Sequence, residues 1–293
     1  MDREYTESAP DHDCPCPHEL IHIDCASHVY PDGSIGIHDL CFRVQENEIV
    51  AICGANGSGK STLLEHLNGL LLPSKGDIHV MGQRIDTRTK KNLWKKVGIV
   101  FQKSDDQLFA PTVLDDVMFG PLNLGMNKDE ARDTAMQALR ALGAEELINK
   151  IPNYLSGGQK RLVSIAGILA MKPKIIALDE PTSDLDPIHA EIIEKIIFEL
   201  KEEHGISIVL ATHDLDLAAR IADRICIVKK GSVIAEGRPS EIFYNAGLLE
   251  DAGLKRPTIV QIYETLCKCR GAGMKKRPVT IEELVEYLTS EQK

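Results

Sequence analysis

Short apolar runs rich in Ile and Val alternate along this chain with longer amphipathic stretches. The run Glu48–Cys53 predicts a buried strand that leads directly into a Gly-rich loop. The spacing after that loop predicts a helix from about Lys60 to Leu71, ended by Pro73. The alternation of strands and helices resumes over residues 175–228. Because parallel strands joined by helices are covered on both faces, this pattern predicts an α/β fold with a mainly parallel sheet.

The pattern changes in three other parts of the chain. Residues 1–19 are polar, acidic and aperiodic, which predicts a flexible N-terminal extension. Residues 112–171 are predicted to be mostly helical, and they lie inside a main domain that we place at residues 20–237. Residues 238–293 predict a small C-terminal extension made of short helices.

Composition and charge exclude several classes of protein. The chain has 293 residues, of which 43% are hydrophobic and 27% charged, so it is neither mainly disordered nor a fibre or coiled coil. With 34 Lys and Arg against 44 Asp and Glu, the net charge of −10 disfavours a nucleic-acid partner. No apolar run approaches the ~18–20 residues of a membrane-spanning helix, and the first residues do not resemble a secretory signal. We therefore expect reduced cysteines and at most a peripheral membrane role.

A phosphate-binding motif follows the first buried strand. Residues Gly54–Ser61 read GANGSGKS and match the pattern G-x-x-x-x-G-K-S between a strand and a helix. Glycines let the backbone curl so that its N–H groups point at phosphate oxygens, and the helix adds its positive end. We expect Lys60 to reach the β- and γ-phosphates of a nucleotide and the Ser61 hydroxyl to bind Mg²⁺. The alternative is a chance Gly-rich turn, which the flanking strand and helix make harder to accept.

Two adjacent carboxylates end a later apolar strand, Ile175–Glu180. We expect Asp179 to support the Mg²⁺ ion and Glu180 to orient and deprotonate the attacking water. The strand would deliver both groups to the carboxyl edge of the sheet, where ligands bind in folds of this class. The alternative is that the pair only caps the helix that follows Pro187.

A third motif, Ser156-Gly157-Gly158-Gln159, precedes a predicted helix. A hydroxyl, free backbone N–H groups and a helix dipole converge in such a segment, which suits an anion. A simple N-cap by Ser156 explains the same residues, and the motif alone does not decide between the two.

These three motifs, in this order, resemble the nucleotide-binding domain of ATP-binding cassette (ABC) proteins, over roughly Leu20 to Gly237. The resemblance implies an ATP-hydrolysing enzyme with a P-loop NTPase (RecA-like) core, an antiparallel β subdomain and a helical signature subdomain. In this family two domains associate head to tail and enclose ATP between the P-loop of one and the Ser-Gly-Gly segment of the other. The expected partner is therefore a second ABC ATPase subunit, in a homodimer or a heterodimer.

Four further positions match the family. Tyr30 corresponds to the aromatic residue that stacks on adenine, Gln102 to a Mg²⁺ ligand, and His213 to the histidine that contacts the γ-phosphate. Ser183–Asp186 resembles the loop that crosses the dimer interface, except that many relatives carry a small apolar residue where this chain has Asp184. Taken singly, the first three could be a surface aromatic, a strand-end amide and a structural histidine.

The motifs and the resemblance together give three sets of site residues. The predicted catalytic residues are Glu180, His213 and Lys60. The predicted Mg²⁺ ligands are Ser61, Gln102 and Asp179. The predicted ATP-binding residues are Tyr30, Gly54, Ala55, Asn56, Gly57, Ser58, Gly59, Lys60, Ser61, Thr62, Ser156, Gly157, Gly158 and Gln159.

A narrower resemblance points to the ATPase subunits of energy-coupling-factor (ECF) importers, especially the cobalt and nickel type. The segments that carry it are Tyr30–Gly33, Asp105–Phe109, Thr112–Val117, Phe119–Gly125, Pro239–Phe243 and Arg277–Leu284. It implies a peripheral protein on the cytoplasmic face of the cell membrane, whose partners are a transmembrane coupling protein and a membrane substrate-binding protein. The cargo never touches the ATPase, so an importer of cobalt or nickel, of a vitamin, or another ABC importer all remain open.

Two other functions fit the same ATP chemistry less well. A soluble DNA-repair or translation ATPase usually has long coiled-coil insertions or two cassettes, and neither is evident in this sequence. A regulatory subunit that binds ATP without hydrolysing it would have a damaged motif, whereas Glu180, His213 and Ser156–Gly158 are intact.

The segment after Gln102 is a candidate for docking the membrane partner. We expect Asp105 or Asp106 to pair with an arginine on a short amphipathic helix, and Leu108 or Phe109 to pack on its apolar face. The alternative is a solvated acidic turn with Phe109 folded into the local core.

Two groups of cysteines are weaker signals. A transition metal could be bound by His12, Cys14, Cys16 and His18. The preferred interpretation is a disordered N-terminus that binds no metal. Cys267 and Cys269 are two residues apart on a predicted helix, so they would diverge and are interpreted as ordinary thiols.

Overall fold

The computed structural model describes residues 18–271, 273–274 and 276–290. The strands are β1 (Glu19–Val29), β2 (Ile35–Gln45), β3 (Ile49–Cys53), β4 (Lys75–Val80), β5 (Gln83–Arg84), β6 (Val97–Val100), β7 (Ile175–Asp179), β8 (Ser207–Thr212), β9 (Arg224–Lys229) and β10 (Ser232–Gly237). The helices are α1 (Lys60–Leu67), α2 (Val113–Asn123), α3 (Lys128–Ala141), α4 (Gly157–Leu169), α5 (Pro187–Glu202), α6 (Leu215–Ile221), α7 (Pro239–Ile242), α8 (Ala246–Asp251), α9 (Thr258–Arg270) and α10 (Ile281–Ser290).

The strands form two sheets, and the larger one confirms the α/β prediction. Its order is β10-β9-β3-β8-β7-β6, with parallel pairing from β9 to β6 and an antiparallel β10 at the edge. The second sheet, in the order β2-β1-β4-β5, is antiparallel throughout. The antiparallel β subdomain that the resemblance implied is therefore present beside the parallel core.

The central strand β3 shows why a continuous apolar run marks a parallel strand. All five of its residues are buried. Because successive side chains point to opposite faces, Ile49 and Ala51 pack into one hydrophobic core and Val50 and Ile52 into the other. The first core extends into helices α2, α3 and α4, and the second extends into the antiparallel sheet.

Helix ends follow local chemistry more closely than the sequence pattern suggested. The predicted helix from Lys60 to Leu71 ends at Leu67, because Gly69 adopts a φ of 77° that a helix cannot continue. The N-cap of α2 is Thr112, whose hydroxyl accepts a hydrogen bond from the N–H of Asp115, and Asn127 forms a capping box at α3.

The chain after β10 consists of short helices, and two of them share a small hydrophobic cluster. Tyr263 and Cys267 of α9 pack against Leu284 and Tyr287 of α10. Cys269 is exposed, so the two thiols diverge as expected. The domain boundaries at 19/20 and 237/238 remain predictions from the sequence.

Two of the sequence expectations concern the membrane and the N-terminal cysteines. Within the described ranges, no helix combines the length and apolar character needed to cross a bilayer. His12, Cys14 and Cys16 lie outside the described residues, and His18 lies 3.8 Å from the carboxylate of Glu46.

Candidate nucleotide-binding site

The loop between β3 and α1 is shaped by its glycines. Gly57 and Gly59 have φ values of 76° and 108°, in the left-handed region that side chains rarely adopt. A Cβ on Gly59 would lie 2.5 Å from the carbonyl oxygen of Gly36, and one on Gly54 would lie 2.4 Å from the carbonyl oxygen of Val228. These positions therefore need glycine for both conformation and space. We call Gly54–Ser61 the phosphate loop.

The ammonium group of Lys60 is buried inside this loop. It donates hydrogen bonds to the carbonyl oxygens of Gly54 and Ala55, at 2.9 and 3.3 Å. It also lies 3.7 Å from Oε1 of Glu180, and the Lys60 side chain is only 6% exposed. Lys60 also lines a pocket beside this loop, so its charge is close to the space that an anion could occupy.

The site residues predicted around the phosphate loop converge on one pocket of about 450 Å³. It forms at the carboxyl ends of β3 and β7, which is where the parallel topology concentrates ligand sites. Its lining consists of Tyr30, Ile35, Gly36, Asn56, Gly57, Gly59, Lys60, Ser61, Thr62, Gln102, Asp179, Glu180 and His213. Gly54, Ala55 and Ser58 shape the loop behind this lining, as the contacts of Gly54 and the hydrogen bond from Ser58 N–H to the Ala55 carbonyl indicate.

Asp179, the last residue of β7, is an incompletely satisfied buried carboxylate. It is 7% exposed, and its Oδ1 atom has no hydrogen-bond partner among the described residues. Burial raises the pKa of this carboxyl group, and a hydrogen bond from Ser61 opposes that shift. A buried carboxylate oxygen without a partner is unusual and fits a site that holds a cation.

Glu180 is held in a strained backbone conformation and a defined side-chain position. Its φ of 46° lies in the left-handed region, which costs energy for a residue with a side chain and is typical of functional sites. Its Oε2 atom accepts a hydrogen bond from the Thr212 hydroxyl at 3.2 Å, and its Oε1 atom lies 2.8 Å from Nδ1 of His213. The carboxylate is therefore oriented by β8 and the residue that follows it.

Tyr30 contributes an aromatic ring to the lining of the pocket. It follows β1, and its hydroxyl lies 3.0 Å from the Thr62 hydroxyl on α1. His28 packs edge-on against the Tyr30 ring, with ring centroids 4.8 Å apart. The ring is thus braced from two sides and is not a free surface aromatic.

The signature segment, which we define as Ser156–Gln159, is absent from the lining of this pocket. Ser156 caps α4: its hydroxyl accepts from the N–H of Gln159, and the Gln159 side chain accepts from the N–H of Ser156. Ser156 and Gly157 are exposed, whereas Gly158 is buried against the ring of His189. One chain therefore does not bring the signature segment to its own phosphate loop.

The loop Ser183–Asp186 leads from the strained Glu180 into α5. The Ser183 hydroxyl donates to the Glu180 carbonyl at 2.8 Å, and Asp184 has a φ of 62°. Asp186 caps α5 by accepting from the N–H of His189. Capping of this helix is therefore done by Asp186, and the proposed capping role of Asp179 and Glu180 is wrong.

The sequence analysis missed two basic residues that connect α4 to the Gln102 segment. The Arg161 guanidinium donates to the carbonyl oxygens of Phe101 and Gln102, each at 2.5 Å, and the Lys160 ammonium lies 2.5 Å from Asp105. Burial lowers the pKa of Arg161. No local signal in the sequence predicts these contacts, because the partners of Lys160 and Arg161 lie 55 to 60 residues away along the chain.

The structure corrects the expected exposure of the segment that follows Gln102. Leu108 is 7% exposed and belongs to the core, so the expectation that it is displayed is wrong. Phe109 is 66% exposed and packs edge-on against Phe119, with ring centroids 4.9 Å apart. The alternative in which Phe109 folds into the core is therefore also wrong, and Asp105 is already paired with Lys160.

Comparisons with known proteins agree with this geometry. The family model described as "ABC transporter" matches residues 37–183. An energy-coupling factor transporter ATP-binding protein of Methanocaldococcus jannaschii is 45% identical over 241 residues, which is 82% of this chain and 86% of that protein. The corresponding protein of Methanococcus maripaludis is 45% identical over 84% of this chain and 89% of its own length.

A solved structure extends the similarity to the fold. CbiO1 of Clostridium perfringens, part of the ABC transporter complex CbiONQ, is 38% identical and superposes with a TM-score of 0.73 over 84% of this chain and 99% of its own. The phosphate loop, the paired carboxylates and the parallel sheet therefore have a common explanation: this chain belongs to the ABC transporter family, as one of its ATP-hydrolysing cassettes.

Proposed function

We propose that this chain is the ATP-hydrolysing subunit of an ECF-type importer. The observation that carries the proposal is the intact pocket in which Lys60, Asp179 and Glu180 converge, in a chain that is 45% identical to an energy-coupling factor ATP-binding protein. A subunit that only binds nucleotide would not need an oriented general base beside the phosphate loop.

The phosphate loop binds the nucleotide through backbone and side-chain donors. The N–H groups around Gly57 and Gly59, with the N-terminus of α1, face the phosphates, and Lys60 supplies the positive charge. Tyr30, braced by Thr62 and His28, stacks on the adenine.

The same pocket fits a Mg²⁺ ion. Mg²⁺ prefers oxygen ligands, and the pocket offers the Ser61 hydroxyl, the Gln102 amide oxygen and a buried Asp179 oxygen that lacks any other partner in the described chain. When bound, the ion would neutralise charge on the β- and γ-phosphates. The residues present therefore suit the ion that this reaction uses.

Glu180 is the general base. A water beside the γ-phosphate needs an acceptor for its proton, and the Glu180 carboxylate is held by Thr212 and His213 so that it cannot rotate freely. His213 lines the pocket next to this carboxylate and contacts the γ-phosphate. Orientation of a weak base by two neighbours is a common way to make it effective.

The active unit contains two cassettes. The signature segment is exposed and does not line the pocket of its own chain, so a second chain must supply it to complete the phosphate site. A homodimer and a heterodimer with a related ATPase both meet this requirement. A relative solved as a dimer with ADP and phosphate bound is 31% identical to this chain. The match covers 75% of this chain and 99% of that one, with a TM-score of 0.68.

A separate apolar groove of about 520 Å³ is the docking site for the transmembrane coupling protein. We call it the docking groove, and it lies between α2, α4 and the segment after Gln102. Its lining consists of Trp94, Gln107, Leu108, Phe109, Asp116, Phe119, Gly120, Asn123, Val163, Ser164, Gly167, Ile168 and Met171. The exposed pair Phe109 and Phe119 forms an apolar rim that suits one face of a short amphipathic helix.

The charges around the docking groove restrict where an arginine of that helix can pair. Asp116 is buried and accepts from the N–H groups of Phe109 and Ala110, at 2.9 and 2.7 Å. Asp105 and Asp106 are both exposed, but Asp105 is paired with Lys160, whereas Asp106 has no ion pair within the described residues. Asp106 is therefore the carboxylate that pairs with the partner's arginine.

The groove is also connected to the ATP site. Arg161 lies on α4, which lines the docking groove, and its guanidinium holds the carbonyl oxygens of Phe101 and Gln102. Gln102 in turn lines the phosphate pocket. Movement of Gln102 on ATP binding would reach the groove through this contact. Independently of this contact, the resemblance to ATPase subunits of ECF importers supports a peripheral location on the cytoplasmic face of the membrane. It also supports cobalt or nickel, carried by a membrane substrate-binding protein, as the first cargo to test, with a vitamin as the alternative.

Recovery of the chain from membranes tests this function. We expect tagged wild-type protein to co-purify with integral membrane partners. We also expect vesicles that contain this complex to take up radioactive cobalt or nickel when ATP and an ATP-regenerating system are enclosed in the vesicles, on the side of the ATPase. Uptake of a vitamin instead would correct the cargo but keep the importer. Recovery only from the soluble fraction, with nucleic acid, would refute the importer.

A matched pair of variants tests the docking groove. Phe119→Ala removes a rim residue that is 51% exposed, and Phe198→Ala removes an equally exposed phenylalanine from α5, outside the groove. We expect only Phe119→Ala to lose the membrane partners, while both keep basal ATPase activity. Equal recovery of partners by both variants would show that the groove is not the docking site.

A further inference from the structure

A bulge in the antiparallel sheet brings two cysteines and a carboxylate together. In the β1–β2 pair, Ile23 faces Phe42 and the next aligned residue, Ala26, faces Leu40. Two residues of β1, Asp24 and Cys25, therefore oppose a single residue of β2, which is Cys41. An extra residue of this kind re-aims side chains, and the φ of 44° at Cys25 marks the distortion.

The resulting cluster lies on the solvent side of the sheet. Ile23, Ala26 and Phe42 point into the hydrophobic core, whereas Cys25 and Cys41 are exposed. One ligand atom each from Asp24, Cys25 and Cys41 lies within 4.8 Å of the other two. No other trio of His, Cys, Asp and Glu side chains in the described part of the chain is as close.

The separation of the two sulfur atoms matches metal ligation better than a disulfide. The Sγ atoms are 3.6 Å apart. A disulfide needs about 2.05 Å. Two thiolates bound at ~2.3 Å to one tetrahedral ion are roughly 3.8 Å apart, so the cysteines need only a small adjustment to share an ion.

The charge of the cluster suits a cation. Asp24, Cys25 and Cys41 become three neighbouring anions when the thiols are ionised, and these anions would repel one another. A bound divalent cation is attracted by all three groups and offsets that repulsion.

We propose that Asp24, Cys25 and Cys41 form a binding site for a thiophilic divalent transition-metal ion such as Zn²⁺ or Co²⁺. Two thiolates and one carboxylate oxygen occupy three tetrahedral positions, and water takes the fourth. Binding releases the two thiol protons to solvent, so no oxidant or reductant is needed. The bound ion fixes β1 to β2 in the sheet that carries Tyr30, and it is separate from the all-oxygen site at Asp179.

Titration of the full-length protein with Co²⁺ tests this site. Thiolate ligation produces an intense near-ultraviolet charge-transfer absorption, which a Co²⁺ ion at the oxygen ligands of the ATP site does not produce. We expect this absorption with wild-type protein, displacement by Zn²⁺, and loss of the tight site by about 100-fold or more in both Cys25→Ser and Cys41→Ser. Asp24→Asn should weaken binding while the charge-transfer band remains.

Two control variants separate this site from other thiols. Cys269→Ser removes another exposed cysteine, and Cys14→Ser combined with Cys16→Ser removes the N-terminal thiols. Both should retain the charge-transfer band, and ATP binding by every variant confirms that it is folded. The proposal is overturned if the band survives in Cys25→Ser and Cys41→Ser. It is equally overturned if reduced wild-type protein shows no charge-transfer band with Co²⁺, whether or not mild peroxide links Cys25 to Cys41.

Discussion

The phosphate loop and the signature segment are both Gly-rich stretches that open a helix, yet they form different surfaces. In the phosphate loop, Gly57 and Gly59 adopt left-handed conformations and the loop closes around the buried side chain of Lys60. In the signature segment, Ser156 caps α4 with ordinary backbone angles and faces solvent. The first is a concave loop that encloses its own lysine, and the second is an exposed helix N-terminus whose following lysine, Lys160, is paired with Asp105.

The difference shows how one chain can carry two unequal halves of a site. A helix N-terminus attracts an anion weakly by itself, with a free energy of roughly 0.3–1 kcal/mol at an exposed position. The phosphate loop adds curled backbone, a lysine and adjacent carboxylates, so it can hold the nucleotide on its own. In the function we propose, the signature segment contributes when a second chain places it on that nucleotide, so hydrolysis would depend on assembly.

The largest effect should come from removing the general base beside the phosphate loop. Glu180→Gln should keep ATP binding and slow hydrolysis by about 10²–10⁴-fold, because an amide keeps the shape but cannot accept a proton. Steady-state phosphate release measures the effect, and a dimer trapped with ATP should appear as a shift in size. Glu203→Gln, at the exposed position that follows the last residue of α5, is the control. Turnover near the wild-type rate in Glu180→Gln would exclude it as the base.

Removal of the Lys60 ammonium group from the phosphate loop should abolish tight ATP binding. Lys60→Ala leaves the phosphates without their buried positive partner, and losing such a partner typically costs about 2–5 kcal/mol, or at least roughly 30-fold in affinity. Calorimetry with ATP measures the loss. Lys195→Ala, which removes an exposed lysine that is paired with Glu199 on the surface of α5, should bind like wild type. Unchanged affinity in Lys60→Ala would contradict the assigned role.

A mixing experiment tests whether the two halves belong to different chains. Ser156→Arg should block the signature segment while leaving the phosphate loop intact, because Ser156 is exposed and outside the pocket. In a homodimer, equal amounts of Lys60→Ala and Ser156→Arg should form mixed dimers with one intact composite site, restoring roughly a quarter of wild-type ATPase activity. Each variant alone should be inactive. No gain on mixing, under conditions where mixed dimers are detected, would argue against the composite site.

The sequence predicted the phosphate loop better than it predicted the contacts between distant segments. Phosphate binding requires glycines, a lysine and a hydroxyl at fixed local spacing, so the pattern at Gly54–Ser61 is visible without any tertiary information. The buried strands were equally visible as continuous apolar runs. By contrast, Arg161 reaches Phe101 and Gln102 across about sixty residues of chain, and no local pattern marks that contact.

Two smaller details also depend on tertiary structure. The side chains of Leu108 and Phe109 are adjacent and both apolar, and only the packing of α2 and α4 decides that the first is buried and the second exposed. Cys25 and Cys41 meet because of a bulge, which changes the alternation of β1 by one residue and is not encoded in its periodicity.

The smallest predicted effect concerns how the free energy of unfolding depends on pH. It compares α1, the helix that follows the phosphate loop, with α4, the helix that follows the signature segment. On α1, His66 is fully buried, and burial lowers its pKa to about 4. On α4, the buried basic group is Arg161, which stays charged at all ordinary pH values. Stability should therefore depend on pH through His66 and not through Arg161.

The direction of the effect follows from proton binding. Between pH 6.5 and 4 the unfolded chain takes up a proton at His66 that the folded chain does not, so stability falls as the pH is lowered through this range. With an unfolded pKa near 6.5, His66 should remove about 2 kcal/mol of unfolding free energy between pH 8 and pH 5. Urea denaturation at the two pH values should show this loss in wild type and a correspondingly smaller loss in His66→Gln. As the control, Arg161→Met removes the buried guanidinium of α4 and should lower stability by the same amount at both pH values. If the loss of unfolding free energy between pH 8 and pH 5 is as large in His66→Gln as in wild type, His66 does not cause it.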